Sequence, residues 1–292
     1  MTGLRSRNAV QIVTSRIPGP GLIFEMHDGI ELAIDLQDNL SHGSHYVSLD
    51  GTAGIFRIGP GRMGGEAMQA TNFKRFVPTI FSLAVTSACL FGACGRLDWP
   101  NAWVLLGINF AASVASTALL WRSPGLLAER SNTKAGKSWD KPIVLVVVLL
   151  GPVATWITAG LDVRFHSSKE FGTPAFIASV IAALFAAALV AWAMRTNRFF
   201  SSVIRIQNDR GHVVITGGPY RFVRHPGYTG MCAFTLVTPL ILNSRWALVP
   251  AVMTAAVWVL RTALEDRTLR KELHGYADYA RRVKYRLVPV IW

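Results

Sequence analysis

From Pro78 onward the chain alternates long apolar runs with short, basic connections. Pro78–Gly95, Trp99–Trp121, Pro142–Leu161 and Pro174–Met194 each run for about 18 to 23 residues with hardly a charge. A hydrocarbon layer of about 30 Å takes about 20 apolar residues in a helix, which pairs its own backbone groups where no water can. The pattern therefore predicts four spanning helices. Two further apolar stretches, Tyr228–Leu242 and Trp246–Leu264, are separated only by Asn243-Ser244-Arg245, which predicts a tight helical hairpin. Its first arm is short and contains Pro239, so it reads as a tilted or re-entrant helix rather than a standard span. The expected fold class is all-α: a polytopic membrane helical bundle with four spanning helices, a C-terminal helical hairpin and a cytoplasmic tail helix.

The segment before this pattern is different in kind. Residues 1–70 are polar and Gly-rich with no long apolar run, apart from a strand-like patch over Gly54–Ile58. Gly59-Pro60-Gly61-Arg62-Met63-Gly64 fits the spacing G-x-G-x-x-G. That pattern binds a dinucleotide only between a strand and a helix, with an acidic residue about twenty positions on. Here a membrane span follows, and a plain Gly-rich loop is the better reading. The expected organisation is an extension over 1–70 that is disordered or dispensable, with Met68 as an alternative start; helices over 71–195; and a chemistry-bearing region over 196–292.

Composition agrees with a membrane protein: 51% of residues are hydrophobic and 16% charged, against roughly 25% charged in soluble domains. A mean hydropathy of +0.34 coexists with a net charge of +13, so apolar and basic residues are segregated. The basic excess flanks apolar runs and carries no zinc-finger spacing or aromatic RNA-binding motif, which argues against nucleic acid. Anionic lipid headgroups fit better, and Arg267, Arg270, Lys271, Arg281, Arg282, Lys284 and Arg286 are expected to meet them. Basic residues concentrate in the 122–141 connection, in 195–224 and in the tail, whereas the connections at Arg96 and Arg245 hold one each. Because such residues stay on the cytoplasmic side, both termini and the 196–292 region are expected there, in a multi-pass protein of a bacterial inner membrane. Trp99, Trp121, Trp139, Trp246 and Trp292 fall at span ends, where amphipathic rings favour the headgroup zone. Cys89, Cys94 and Cys232 lie in apolar stretches without paired spacing and predict neither disulfide nor metal site.

The side chains suited to chemistry gather in Thr216–Gly230, which reads Thr-Gly-Gly-Pro-Tyr-Arg-Phe-Val-Arg-His-Pro-Gly-Tyr-Thr-Gly. Proline is favoured at the first position of a helix, so His225-Pro226 can open the hairpin with free backbone donors and a positive dipole end, a seat for an anion. The Gly217-Gly218-Pro219 turn lets backbone approach a ligand closely. Arg261 and Glu265 stand one helical turn apart and are either site residues or a mutual ion pair; charged groups at the end of a membrane hairpin favour the first. Plainer roles exist for each: His225 as a helix cap, His212 as a loop residue, Tyr276 and Tyr279 as interfacial anchors.

The core Gly218-Pro-Tyr-Arg-Phe-Val-Arg-His-Pro-Gly-Tyr-Thr-Gly230 resembles the signature of the isoprenylcysteine carboxyl methyltransferase family, much of it shared with phospholipid methyltransferases. Arg261–Leu269, Leu273–Tyr279 and Val283–Pro289 resemble the family's later blocks, with two departures: Asp266 replaces a second glutamate, and Leu273-His274 stands where a phenylalanine usually precedes the glycine. A looser, bacterial-type likeness covers 129–140 and Gly160–Phe165. The resemblance implies a membrane methyltransferase using S-adenosylmethionine, with Gly218, Tyr220, Val223, His225, Pro226, Tyr228 and Glu265 as cofactor residues. In-line transfer from a sulfonium asks mainly for positioning. A carboxylate acceptor is already ionised and needs only an orienting cation, for which Arg224 and Arg261 are candidates beside Glu265. An amine acceptor would need a base, from His225, His274 or Glu265. The resemblance leaves the acceptor open between a prenylated peptide and another lipophilic molecule: a small carboxylate, a thiol or a phospholipid amine. Sterol-type reductases, which use NADPH, share an Arg-His-Pro-x-Tyr block, but the Leu264–Leu269 stretch is closer to the methyltransferase form; a non-catalytic membrane scaffold is the third reading.

Overall fold

The structure, a computed structural model, describes residues 15–16, 21–25, 31–35, 65–121, 126, 129–130 and 136–292. The strand-like patch at 54–58 and the glycine motif at 59–64 lie outside them. The chain divides into two units, Met1–Ala70 and Thr71–Trp292. In the first, β1 (Ser15–Arg16), β2 (Gly21–Glu25) and β3 (Glu31–Asp35) form an antiparallel sheet in that order, with Ile23 opposite both Ser15 and Ala33. Polar composition alone did not predict these strands.

The regular elements of the second unit are all helical, as expected, the first helix reaching it from Gly65, six residues before Thr71. Its elements are α1 (Gly65–Cys94), α2 (Pro100–Trp121), α3 (Asp140–Leu145) running through a π turn (Val146–Leu150) into α4 (Gly151–Phe165), α5 (Thr173–Thr196), α6 (Pro226–Ile241), α7 (Leu248–Glu272) and α8 (Tyr276–Arg282). Among the described residues five helical stretches are long and apolar enough to cross a membrane: Val77–Cys94, Pro100–Trp121, Asp140–Phe165, Thr173–Thr196 and Leu248–Glu272. Large apolar side chains such as Phe81, Phe110, Phe185 and Met253 face outward, an arrangement suited to lipid and costly in water. The molecule is an integral, multi-pass membrane protein.

The fifth span is the second arm of the hairpin, which continues eight residues beyond the Leu264 end of its apolar run. Arg261, Glu265 and Asp266 therefore lie on one rigid helix rather than in a tail. The first arm, α6, has 16 residues, about 24 Å at 1.5 Å per residue, too short to cross a bilayer core. It packs most extensively against α5. A Cβ on Gly230 would stand 2.7 Å from the Ala186 carbonyl oxygen and 2.6 Å from Val190, so this close approach of two backbones needs glycine.

The apolar core, including Leu90, Leu105, Ala159, Ala183, Ile241 and Ala247, joins α1, α2, α4 and α5 to the hairpin. Trp99 belongs to this core at 4% exposure; a ring expected in the headgroup zone is packed inside instead. At the same end, buried Asp162 accepts hydrogen bonds from Ser168 and Ser244 at 2.6 Å each. This ties the end of α4 to the hairpin turn.

Candidate functional site

The segment ahead of α6 is shaped by two local constraints. Gly218 has φ +57°, and a Cβ there would lie 2.7 Å from the Thr196 hydroxyl, so the turn over Gly218–Arg221 rests on a glycine pressed against α5. Beyond it, the backbone N–H groups of Arg224 and His225 donate to the carbonyls of Tyr285 and Arg286. The C-terminal tail is thereby laid along the motif. Pro226 opens α6, as the sequence suggested, while the His225 side chain makes no capping bond. It turns instead toward Tyr276, with Nε2 3.2 Å from the phenol oxygen, and its ring lies parallel to Tyr228 at 5.8 Å.

Asp266 is the hub beneath this segment. Its carboxylate accepts from Arg224 Nε at 2.7 Å and Nη2 at 3.1 Å, from Arg270 Nε at 3.0 Å, from Arg286 Nε at 3.1 Å and from the Tyr276 hydroxyl at 3.0 Å. Arg224 also donates through Nη1 to the carbonyls of Val283 and Lys284. Four of its five N–H donors are thus committed within the protein. Arg224 is a strut joining motif, helix and tail, and the geometry does not favour it as the cation that orients an acceptor. Arg270 and Arg286, expected on lipid headgroups, belong to the same hub, and Arg281 pairs with Asp278.

Arg261 does not pair with Glu265. Its Nε and Nη2 form a two-pronged bond with Asp140 at 2.8 and 2.9 Å, and Nη2 also reaches the Ser202 carbonyl at 3.0 Å. Asp140 in turn accepts from the Ile204 amide. The guanidinium lies 5.2 Å from the Tyr228 ring and 5.7 Å from Trp258, and its Nη1 hydrogens have no protein partner among the described residues. Glu265 Oε2 is buried and unbonded.

These groups face one cavity of about 470 Å³, within the range of small-molecule sites. Of the residues singled out from the sequence, Tyr220, Arg224, His225, Tyr228, Arg261 and Glu265 line it, whereas Gly218, Val223 and Pro226 are not among its lining residues. His274 is exposed and outside it. Tyr276 and Tyr279, at 4% and 2% exposure, are lining residues rather than interfacial anchors. Burial first, then the neighbouring Asp266 charge, pushes the Tyr276 phenol well above its ordinary value, so it keeps its proton. Sequence reasoning missed Trp258, Asn197, Gln207 and Asp140. It also passed over the rim network in which Arg205 holds buried Glu129 at 2.5 Å. His212 sits on that rim, accepting the Gln207 amide through Nδ1, and burial followed by repulsion from Arg205 and Arg210 lowers its pKa to about 4.

A second cavity, of about 490 Å³, lies between α2, α4, α5 and α6. Its walls are mostly apolar, and Val148, Met231 and Trp258 belong to both cavities.

Residues 178–271, which carry most of this constellation, match the model of the isoprenylcysteine carboxyl methyltransferase (ICMT) family. Protein-S-isoprenylcysteine O-methyltransferase B of Arabidopsis thaliana is 33% identical over 89 residues, which is 30% of this chain and 45% of that protein. A probable protein-S-isoprenylcysteine O-methyltransferase of Oryza sativa subsp. indica is 34% identical over 90 residues, 30% of this chain and 46% of that protein. The match thus spans a little under half the length of these curated relatives. A solved structure described as the eukaryotic intramembrane Ras methyltransferase ICMT is similar to 78% of this chain and 87% of its own at 16% identity and a TM-score of 0.47.

Proposed function

We propose that this chain is an integral membrane methyltransferase that uses S-adenosylmethionine and methylates a lipophilic acceptor, a carboxylate of the isoprenylcysteine type being the best fit. The observation that carries the reading is one cavity in which a buried, unbonded carboxylate oxygen, an aromatic pair and a free guanidinium edge converge. Each suits one part of the reaction. The faces of Tyr228 and Trp258 suit a sulfonium. The opening turn of α6 suits the donor's carboxylate. Glu265 Oε2 suits an ammonium or hydroxyl, since a buried acceptor without a partner costs free energy that a ligand donor recovers. S-adenosylmethionine supplies the methyl group; the protein holds and orients, and Arg261 keeps an ionised acceptor in place while Asp140 keeps Arg261 in place.

The adjoining apolar cavity supports an acceptor with a hydrocarbon portion, because it meets the polar cavity at Val148, Met231 and Trp258. Basic connections around the site support a cytoplasmic face. The sterol-type reductase reading is disfavoured by the match of residues 178–271 to a methyltransferase family and by relatives named as methyltransferases. Incubating membranes that contain the full chain with methyl-labelled S-adenosylmethionine, followed by mass spectrometry of the lipid and protein fractions, tests the reading. A labelled carboxyl ester on a lipophilic product is expected; label found only on amines would move the acceptor to a phospholipid type, and no transfer to any component would overturn the activity.

A further inference from the structure

The hydrogen bonds around Asp266 fix the direction of a chain that ends at the cavity. Oδ1 accepts from Arg224 Nε and the Tyr276 hydroxyl, and Oδ2 from Arg224, Arg270 and Arg286. A carboxylate among three guanidinium groups is an acceptor only. The single Tyr276 proton is therefore spent on Asp266, and the phenol oxygen faces His225 Nε2, 3.2 Å away, with a lone pair. Asp266 Oδ1 itself lies 3.5 Å from the same nitrogen. With acceptors on both approaches, the satisfied arrangement puts the proton on Nε2, because a lone pair there would face two others. In the neutral ring Nδ1 is then an acceptor. Nδ1 makes no hydrogen bond to protein among the described residues, and His225 lines the cavity.

We propose that Asp266 and Tyr276 are positioning residues that lock His225 as the Nε2–H tautomer, so that Nδ1 meets the ligand as an acceptor and selects one bearing an amine or hydroxyl donor at that place. The lock itself follows from protein groups alone; its service to a methyl donor rests on the function proposed above. The three positions are spread over a loop, α7 and α8, so the tail that carries Tyr276 is part of the site's electronic setting.

Histidine tautomers are read directly by nitrogen NMR of the full chain labelled with 15N-histidine in nanodiscs at pH 8, His225 being assigned from its absence in His225→Gln. A single neutral ring protonated on Nε2 is expected. A proton on Nδ1, an even mixture or an imidazolium would overturn the lock. In Asp266→Asn the amide can donate to the phenol and reverse the chain, so a substantial Nδ1–H population is expected; should that variant not fold, Tyr276→Phe removes the nearer acceptor and is expected to give a detectable mixture. An unaltered, pure Nε2–H ring in Tyr276→Phe would remove Tyr276 from the lock. On adding S-adenosylmethionine, the Nδ1 resonance is expected to move while Nε2 keeps its proton. Calorimetric binding with Nδ1 unmoved overturns the ligand half and leaves the proposed function standing; no binding at all overturns both of these, while the spectrum without ligand still judges the lock.

Discussion

At the cavity end of the helical unit Asp266 takes hydrogen bonds from three guanidinium groups and a phenol, whereas at the far end Asp162 takes them from two serine hydroxyls. The long helix that starts at Asp140 and ends at Phe165 measures about 39 Å for its 26 residues. It places Asp140, clasping Arg261, near one end and Asp162 near the other. Both ends are stapled through buried carboxylates, but only at the cavity end are the donors to the carboxylate themselves charged. Neutral hydroxyls suffice to hold a turn. Paired charges fix planes and directions, at a desolvation cost that an ordinary turn would not repay, and they occur where Arg261, His225 and Tyr276 must face a ligand in defined orientations.

Substitutions that remove one carboxylate test this difference most severely. Asp266→Ala strands buried Arg224 and frees two further arginines, and is expected to cost about 3–5 kcal/mol, seen as the largest fall in melting temperature of the purified protein. Asp140→Ala strands one guanidinium that keeps the Ser202 carbonyl and two ring faces, so a loss of about 3 kcal/mol is expected, with methyl transfer falling more than donor binding. Gly230→Ala pushes α6 off the Ala186 carbonyl and is expected to cost about 1–3 kcal/mol. At the far end, Ser244→Ala removes one neutral bond to Asp162, for about 1–2 kcal/mol and no change in donor affinity. A Ser244→Ala loss equal to that of Asp266→Ala would break the comparison.

A further expected effect is one of pH. Burial, and then repulsion from Arg205 and Arg210, lowers the His212 pKa from its ordinary 6.5 to about 4 in the folded protein. A depressed folded value means a contribution fully present above about pH 6.5 and lost as pH falls toward about 4. Melting temperatures at pH 7 and pH 5 are expected to differ more in the wild type than in His212→Asn; equal differences would leave His212 outside the rim network.

The helical unit was largely legible in the sequence because membrane spans announce themselves by length and apolarity, and the α6 start at Pro226 because proline fixes φ. What could not be read were partnerships across long separations. Arg261 and Glu265 are one turn apart and look like a pair, yet Asp140, 121 residues away, takes the guanidinium. Arg224 looks like a ligand-binding cation until Asp266 and the tail carbonyls are seen to occupy it. Tyr276 reads as an anchor by composition and is buried against a carboxylate. The replacement of a second glutamate by Asp266 was the one local signal that this position mattered, and spacing gave no hint of its four partners.

The central claim is that this cavity holds a methyl donor through His225. Calorimetric titration of the purified full chain with S-adenosylmethionine, and of His225→Ala beside it, measures this directly. Saturable binding by the wild type, weakened at least about tenfold, or about 1.4 kcal/mol, in a variant that melts within a few degrees of it, is the predicted result. Wild-type binding of NADPH instead, or equal affinity in the folded variant, would contradict the account.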